Sequence, residues 1–330
     1  MSVCFALLGA GRIGKVHAKA ITGNNDAKLV AVMDAFEQAA SELAAAYDCE
    51  VRTLDEIEAA SDVDAVVICT PTDTHADLIE RFARAGKAIF CEKPVDLSID
   101  RVRECLDTVR ETGAKLMVGF NRRFDPSFQA VRAAIDEGRI GDVEQVVLTS
   151  RDPGPPPAEY IIKSGGIFRD MTIHDFDMAR FLLGEEIISV TATASVLVDK
   201  EIGELGDFDT ASILLVTASG RQCVITNSRR ATYGYDQRIE IHGSKGMLAA
   251  ENQRPLMIEI ANEQGYQRPP LHDFFMTRYV EAYAAEITSF IAALRDGAEI
   301  TPTGEDGLKA LILADAALKS ATEKRIVEIG

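Results

Sequence analysis

The stretch GAGRIG, Gly9 to Gly14, follows the apolar run VCFALLG and opens the helical pattern GKVHAKAI. A strand that enters a glycine turn and leaves as a helix is a narrow specification. Gly9 permits the tight turn, Gly11 lets the backbone approach a pyrophosphate, and Gly14 allows close helix–sheet packing. The free N–H groups of the helix start, with Arg12 and Ile13 in the loop, form an anion site. Four more apolar runs follow: KLVAVMD (28–34), DAVVICT (64–70), KAIFCEK (87–93) and KLMVGF (115–120). The segments between them, EQAASELAAAY, HADLIERFARAG and SIDRVRECLDTVRETG, carry helical spacing. Near-continuous apolar strands alternating with helices predict a parallel sheet covered on both faces. Residues 1–121 are thus expected to form a doubly wound α/β (Rossmann) domain for a dinucleotide.

After NRRFDP the pattern changes. A helix, PSFQAVRAAIDEGRIG, leads to EQVVLTSRD, a proline-rich loop, and then the helical stretch GGIFRDMTIHDFDMARF. Alternating strands come next: ISVTATASVLV, FDTASILLVTAS, RQCVITNSRRA, DQRIEIHGS and LMIEIAN, with helices over 277–296 and 306–322. Strands in succession predict a C-terminal α+β domain, 122–330, with a large, mainly antiparallel open sheet. The alternation leaves one sheet face wet or paired. Pairing it across a subunit interface predicts a homo-oligomer.

A length of 330 residues suits two domains. The net charge of −17 argues against nucleic acid and anionic membranes, which need a positive surface. None of the six cysteines forms a CxxC pair, so reduced thiols are expected rather than disulfides or zinc. The start, MSVCFALLGAG, lacks a basic lead and a signal-peptidase site, and no apolar run approaches the ~20 residues that span a bilayer. The expectation is a cytoplasmic protein with a small-molecule ligand.

Ligands of doubly wound sheets bind beyond the carboxyl ends of the strands. Asp34 ends the second strand, twenty residues past Gly14, where a carboxylate accepts the adenosine ribose hydroxyls and repels a 2′-phosphate. That favours NAD over NADP, although the guanidinium of Arg12 could tolerate the extra phosphate. In CTPTDTH, Thr70, Pro71, Thr74 and His75 follow the third strand, His75 reading as a packing or capping residue rather than a base. In CEKPV, Glu92 and Lys93 end the next strand at the same crevice. In the later helix, Asp170, His174 and Asp177 are four and three residues apart and share one face among large apolar residues. Asp and His at that spacing can chelate a metal, yet no second histidine or cysteine stands nearby, and no metal is expected. Histidine near neutral pH suits proton acceptance; Asp177 is open between a role beside the site and a pair with Arg180.

Together GAGRIG with His17 three residues on, TPTDTH, EKP, NRRFDP and the glycine-led Asp170–His174 helix resemble the Gfo/Idh/MocA oxidoreductase family, in order over the whole chain. The resemblance implies a catalytic set of Lys93, Asp170 and His174, with Asn121 and Arg122 at the cofactor–substrate junction. It implies substrate contacts from Asp152, Tyr160 and Tyr235, and dimers or tetramers built on the second domain's sheet. SRDPGPPPAEYIIKSGGIFRDMTIHDFDMARFL and NSRRATYGYDQRIEIHGSKGML are most similar to the family's inositol-oxidising branch. That implies NAD-dependent oxidation of the C2 hydroxyl of myo-inositol. A related NAD(P)-dependent dehydrogenase of scyllo-inositol or a pyranose, and a non-catalytic sugar sensor, stay open alternatives.

Overall fold

The computed structural model describes residues 2–330. The chain runs β1 (Val3–Leu8), α1 (Arg12–Thr22), β2 (Ala27–Met33), α2 (Glu37–Tyr47), β3 (Glu50–Val51), α3 (Leu54–Ala59), β4 (Ala65–Ile68), α4 (His75–Arg84), β5 (Ala88–Glu92), α5 (Ile99–Thr112) and β6 (Leu116–Gly119). It continues α6 (Pro126–Asp136), β7 (Val143–Arg151), α7 (Ala158–Ser164), α8 (Ile173–Leu183), β8 (Ile187–Ser195), α9 (Lys200–Glu204), β9 (Thr210–Thr217), β10 (Gln222–Ser228), β11 (Asp236–Gly243) and β12 (Gly246–Ala250). It closes with β13 (Ile260–Asn262), β14 (Gly265–Gln267), α10 (Phe275–Arg278), α11 (Val280–Arg295), α12 (Gly304–Glu323) and β15 (Val327–Glu328). Two compact units form: residues 1–125 with 280–311, and 126–279 with 312–330.

In the first unit six strands pair in parallel in the order β3-β2-β1-β4-β5-β6. Strand order reverses between β1 and β4, which sets the ligand crevice beyond their carboxyl ends. β3 and α3 are absent from the periodicity reading because two strand residues and one helical turn give no period. α3 is fixed instead by a capping box: Thr53 Oγ1 accepts the Glu56 N–H, and Glu56 accepts that of Thr53. Phe5, Leu7, Val67 and Phe90 fill the core with Ile287, Phe290 and Ile291 of α11. Each such burial contributes about 1.5–3 kcal/mol. A division at 121/122 puts α11 in the second domain; its apolar stripe instead completes the first unit's core.

In the second unit a seven-stranded sheet runs β12-β11-β7-β10-β9-β8-β15, antiparallel except for the β7–β10 pair. α8 packs on β7 and β10, over the buried side chains of Val146, Leu148, Cys223 and Ile225. On the opposite face Val147, Val224 and Leu214 line up across three strands and stay half-exposed. The stretch LMIEIAN does not join this sheet: only Ile260–Asn262 is extended, in a separate hairpin with β14, and Met257 is 88% exposed. The helix expected over 277–296 breaks at Tyr279. All six cysteines are free thiols; Cys69, Cys91, Cys105 and Cys223 are buried and Cys4 and Cys49 half-buried. Among the described residues, no helix is long and apolar enough to cross a membrane.

Candidate active site

The glycine loop joins β1 to α1. Gly9 has φ +100°, and a Cβ there would lie 2.5 Å from the Cys69 carbonyl oxygen. A Cβ on Gly14 would meet the Gly9 carbonyl oxygen at 2.0 Å, so this glycine is dictated by helix–turn packing. Gly11 differs: a Cβ would meet nothing within 4 Å. The space beside it is open. No side chain caps the start of α1, which leaves its first N–H groups for an anion. Arg12 is exposed beside them and Ile13 half-buried. Asp34 is tied in from β2: its Oδ2 accepts the Ala10 N–H at 2.6 Å and its Oδ1 that of Phe36 at 2.8 Å. The carboxylate keeps lone pairs for further donors.

Beyond β4, Thr70 and Thr74 hydroxyls bond each other at 2.7 Å, and Thr74 Oγ1 donates to Pro71 O at 2.7 Å. Pro71 is exposed and Thr70 and Thr74 half-buried. His75 is buried and spans two loops, with Nδ1 2.8 Å from Pro94 O and Nε2 2.8 Å from Thr70 O. Burial pushes its pKa down against the pull of those carbonyls. Lys93 is half-buried at the end of β5, before a cis peptide to Pro94. The Glu92 side chain points inward, its Oε1 2.6 Å from Nε2 of His17. Asn121 and Arg122 lie buried in a 3-10 turn beyond β6.

In the second unit the helix of Asp170 and His174 is not uniform. Phe168–Thr172 forms a π turn and α8 proper starts at Ile173. Such turns widen the helix locally and recur at functional sites. The glycine pair before it is required: Gly166 has φ +83°, and a Cβ would lie 2.7 Å from Asp207 Oδ1, which accepts the Ile167 N–H. Asp170 and His174 are half-buried, whereas Asp175 and Asp177 are buried. Asp170 is held at both oxygens. Tyr160 donates to Oδ1 at 2.8 Å, and the guanidinium of Arg229, 1% exposed, lies 3.4 Å from Oδ2 and 3.5 Å from Asp207. Asp175 takes Ser150 Oγ at 2.5 Å and Asn227 Nδ2 at 2.8 Å, and Thr172 donates to Asn227 Oδ1. This network moors α8 to β7 and β10. Arg180 pairs with Glu186. Tyr160 is 43% exposed and Asp152 half-buried, while Tyr235 is buried with its ring edge-on to Phe274 and Tyr279.

The model of an oxidoreductase family with an NAD-binding Rossmann fold matches residues 3–120, and that of the GFO/IDH/MocA C-terminal domain matches 128–249. The chain belongs to the Gfo/Idh/MocA family. An inositol 2-dehydrogenase of Rhizobium meliloti (strain 1021) is 74% identical over 329 residues, covering 100% of both chains. The crystal structure of a myo-inositol dehydrogenase from Corynebacterium glutamicum is 47% identical with a TM-score of 0.97, covering 100% of this chain and 99% of that one. That of a scyllo-inositol dehydrogenase from Lactobacillus casei, with bound NAD(H) and scyllo-inositol, is 30% identical with a TM-score of 0.93 over 99% of each.

The loop geometry fits the NAD of a Gfo/Idh/MocA oxidoreductase: open space over Gly11, uncapped N–H groups and an anchored Asp34 are what a pyrophosphate and a ribose diol require. Sequence reasoning did not single out Arg229, Asp175 or Glu286, because burial of a charge leaves no periodic trace. Arg229 follows β10 in NSRRA, where its neighbour Arg230 is exposed.

Proposed function

We propose that this member of the Gfo/Idh/MocA family is an NAD-dependent inositol 2-dehydrogenase that oxidises the C2 hydroxyl of myo-inositol to 2-keto-myo-inositol. What carries the reading is a half-buried histidine one turn from a doubly anchored aspartate, in a chain 74% identical to a relative named for that activity. Gly9, Gly11, Gly14 and the start of α1 hold the pyrophosphate, Asp34 the ribose, and the 70–75 and 92–93 turns with Asn121 and Arg122 border the nicotinamide end. NAD supplies the hydride acceptor.

The residues do the rest. His174 accepts the hydroxyl proton at an imidazole nitrogen, the role of a general base. Asp170 orients the substrate hydroxyl or the imidazole; with Tyr160 and Arg229 fixing both its oxygens it keeps one direction. Lys93 stabilises negative charge developing on the carbinol oxygen. A ring polyol offers several hydroxyls, each needing a partner once desolvated, which Arg122, Asp152, Tyr160 and Tyr235 supply. The likeness to a scyllo-inositol dehydrogenase supports a second reading, with the C2 epimer as preferred substrate. NADH formation across inositols and aldoses decides between them.

The assembly is a homo-oligomer, a tetramer by preference, with the Val147–Val224–Leu214 face and the β13–β14 hairpin as its contact surfaces. Free, largely buried thiols suit the reducing cytoplasm, where the enzyme serves inositol catabolism. A monomeric mass by light scattering contradicts the assembly.

A further inference from the structure

Three ionisable groups meet in the core of the first unit: His17 of α1, Glu92 of β5 and Glu286 of α11. His17 and Glu286 are wholly buried and Glu92 is 8% exposed. Nε2 of His17 is 2.6 Å from Oε1 of Glu92 and 4.0 Å from Oε1 of Glu286. Two ligands of one ion, each at about 2.0–2.1 Å in a tetrahedral site, stand about 3.3 Å apart. A separation of 2.6 Å is a hydrogen bond, so the cluster is linked by a proton and not by a metal. A carboxylate only accepts, so Nε2 carries the hydrogen that points at Glu92. Phe90 and Tyr283 hold the ring, with centroids at 5.0 and 5.5 Å.

The other carboxylate oxygen reaches the reacting end. Oε2 of Glu92 accepts the backbone N–H of Lys93 at 3.3 Å. The carboxylate is wedged against β6, where a Cβ on Gly119 would come within 3.1 Å of it. We propose that His17 and Glu92 are positioning residues for Lys93: the imidazole fixes the carboxylate, and the carboxylate fixes the backbone from which the lysine projects. The inference rests on Lys93 acting in the reaction. Burial and the neighbouring charge of Glu92 push the Glu286 carboxyl well up, so it stays neutral and leaves Glu92 as the one negative partner of His17. Without the imidazole, a buried carboxylate loses its partner and shifts, and the lysine shifts with it. Sub-ångström misplacement of a reacting group is costly in rate.

The test is a double-mutant cycle on the full-length enzyme. kcat with myo-inositol is measured per NADH-titrated site for wild type, His17→Ala, Lys93→Ala and the double variant. His17→Ala is expected to lower kcat by ~10–100-fold, with NAD affinity within ~3-fold of wild type. His17→Gln, whose amide still donates to Glu92, recovers most of the loss. In the Lys93→Ala background, His17→Ala changes kcat by less than ~2-fold, since it has no lysine left to misplace. An equal loss in both backgrounds, or a His17→Ala kcat near wild type, overturns the positioning role. Near-normal turnover of Lys93→Ala overturns the reading of the lysine itself, a separate failure. If His17→Ala does not fold, the isosteric Glu92→Gln enters the same cycle with the same expected non-additivity.

Discussion

Each unit sets a histidine near carboxylates, and these two settings differ in exposure. In the first unit His17, Glu92 and Glu286 are closed in a core, and the bonded pair is 2.6 Å apart. In the second, Asp170 and His174 are half-buried on a π-turned helix, with Asp170 anchored by Tyr160 and Arg229. The residue types are nearly the same. What separates them is access: the first cluster is closed off from water, while Asp170 and His174 stay partly open to it. The variants expected to matter most are those that exchange or remove this distinction.

The largest effect is expected from His174→Ala, which should lower kcat by ~100-fold or more while NAD still binds. Near-normal turnover would remove the open histidine from the chemistry and erase the contrast. Arg229→Leu removes the cation buried between Asp170 and Asp207 and should lower kcat by ~10–30-fold, with Arg229→Lys intermediate. An unchanged kcat would show that Asp170 needs no inner anchor. Gly11→Ala sharpens the contrast within the glycine loop. The methyl group meets no protein atom within 4 Å, so the melting temperature should hold while NAD affinity falls by ~10-fold or more. Calorimetry and cofactor titration on the same sample check both halves.

Asp34→Ser should shift the NAD/NADP preference by ~10-fold toward NADP, measured as the ratio of kcat/KM values. The smallest effect belongs to a closed carboxylate away from the chemistry. Asp209 is fully buried; burial alone would raise its pKa, but the N–H groups of Leu197, Asp199 and Val198 and the Thr210 hydroxyl hold it below the ordinary value. A depressed folded pKa gives stability that is present above the unfolded value of about 4 and is lost as pH falls through the folded one. Asp209→Asn should therefore cost about 1–3 kcal/mol at neutral pH, with the gap in Tm narrowing below about pH 4 and kcat unchanged.

The parts of this molecule that could be read from the chain are those coded by local spacing. GAGRIG between a strand and a helix gives the first unit its fold and its cofactor crevice, because turn, approach and packing each demand glycine at a fixed offset. The alternation of β7, β9, β10 and β11 gives the open sheet in the same way. What escaped depends on partners distant in sequence. α11 belongs to the first unit's core through Ile287, Phe290 and Ile291, a match of shape between segments far apart in sequence. Arg229 and Arg230 are adjacent and chemically identical, yet one is buried between two carboxylates and the other exposed. The i, i+4, i+7 reading grouped Asp170, His174 and Asp177, while the structure separates two half-buried groups from a buried Asp177. A π turn between the residues being counted is invisible to a helical period.

The central claim is that an inositol loses its C2 hydrogen to NAD with His174 taking the proton. It is tested most directly by NADH formation on a panel of myo-inositol, scyllo-inositol and aldopyranoses, run with wild type and His174→Ala side by side. Robust turnover of myo-inositol by wild type, lost by ~100-fold in the variant, is the expected result. Turnover of an aldose without turnover of any inositol, or a His174→Ala variant that works as wild type does, would contradict it.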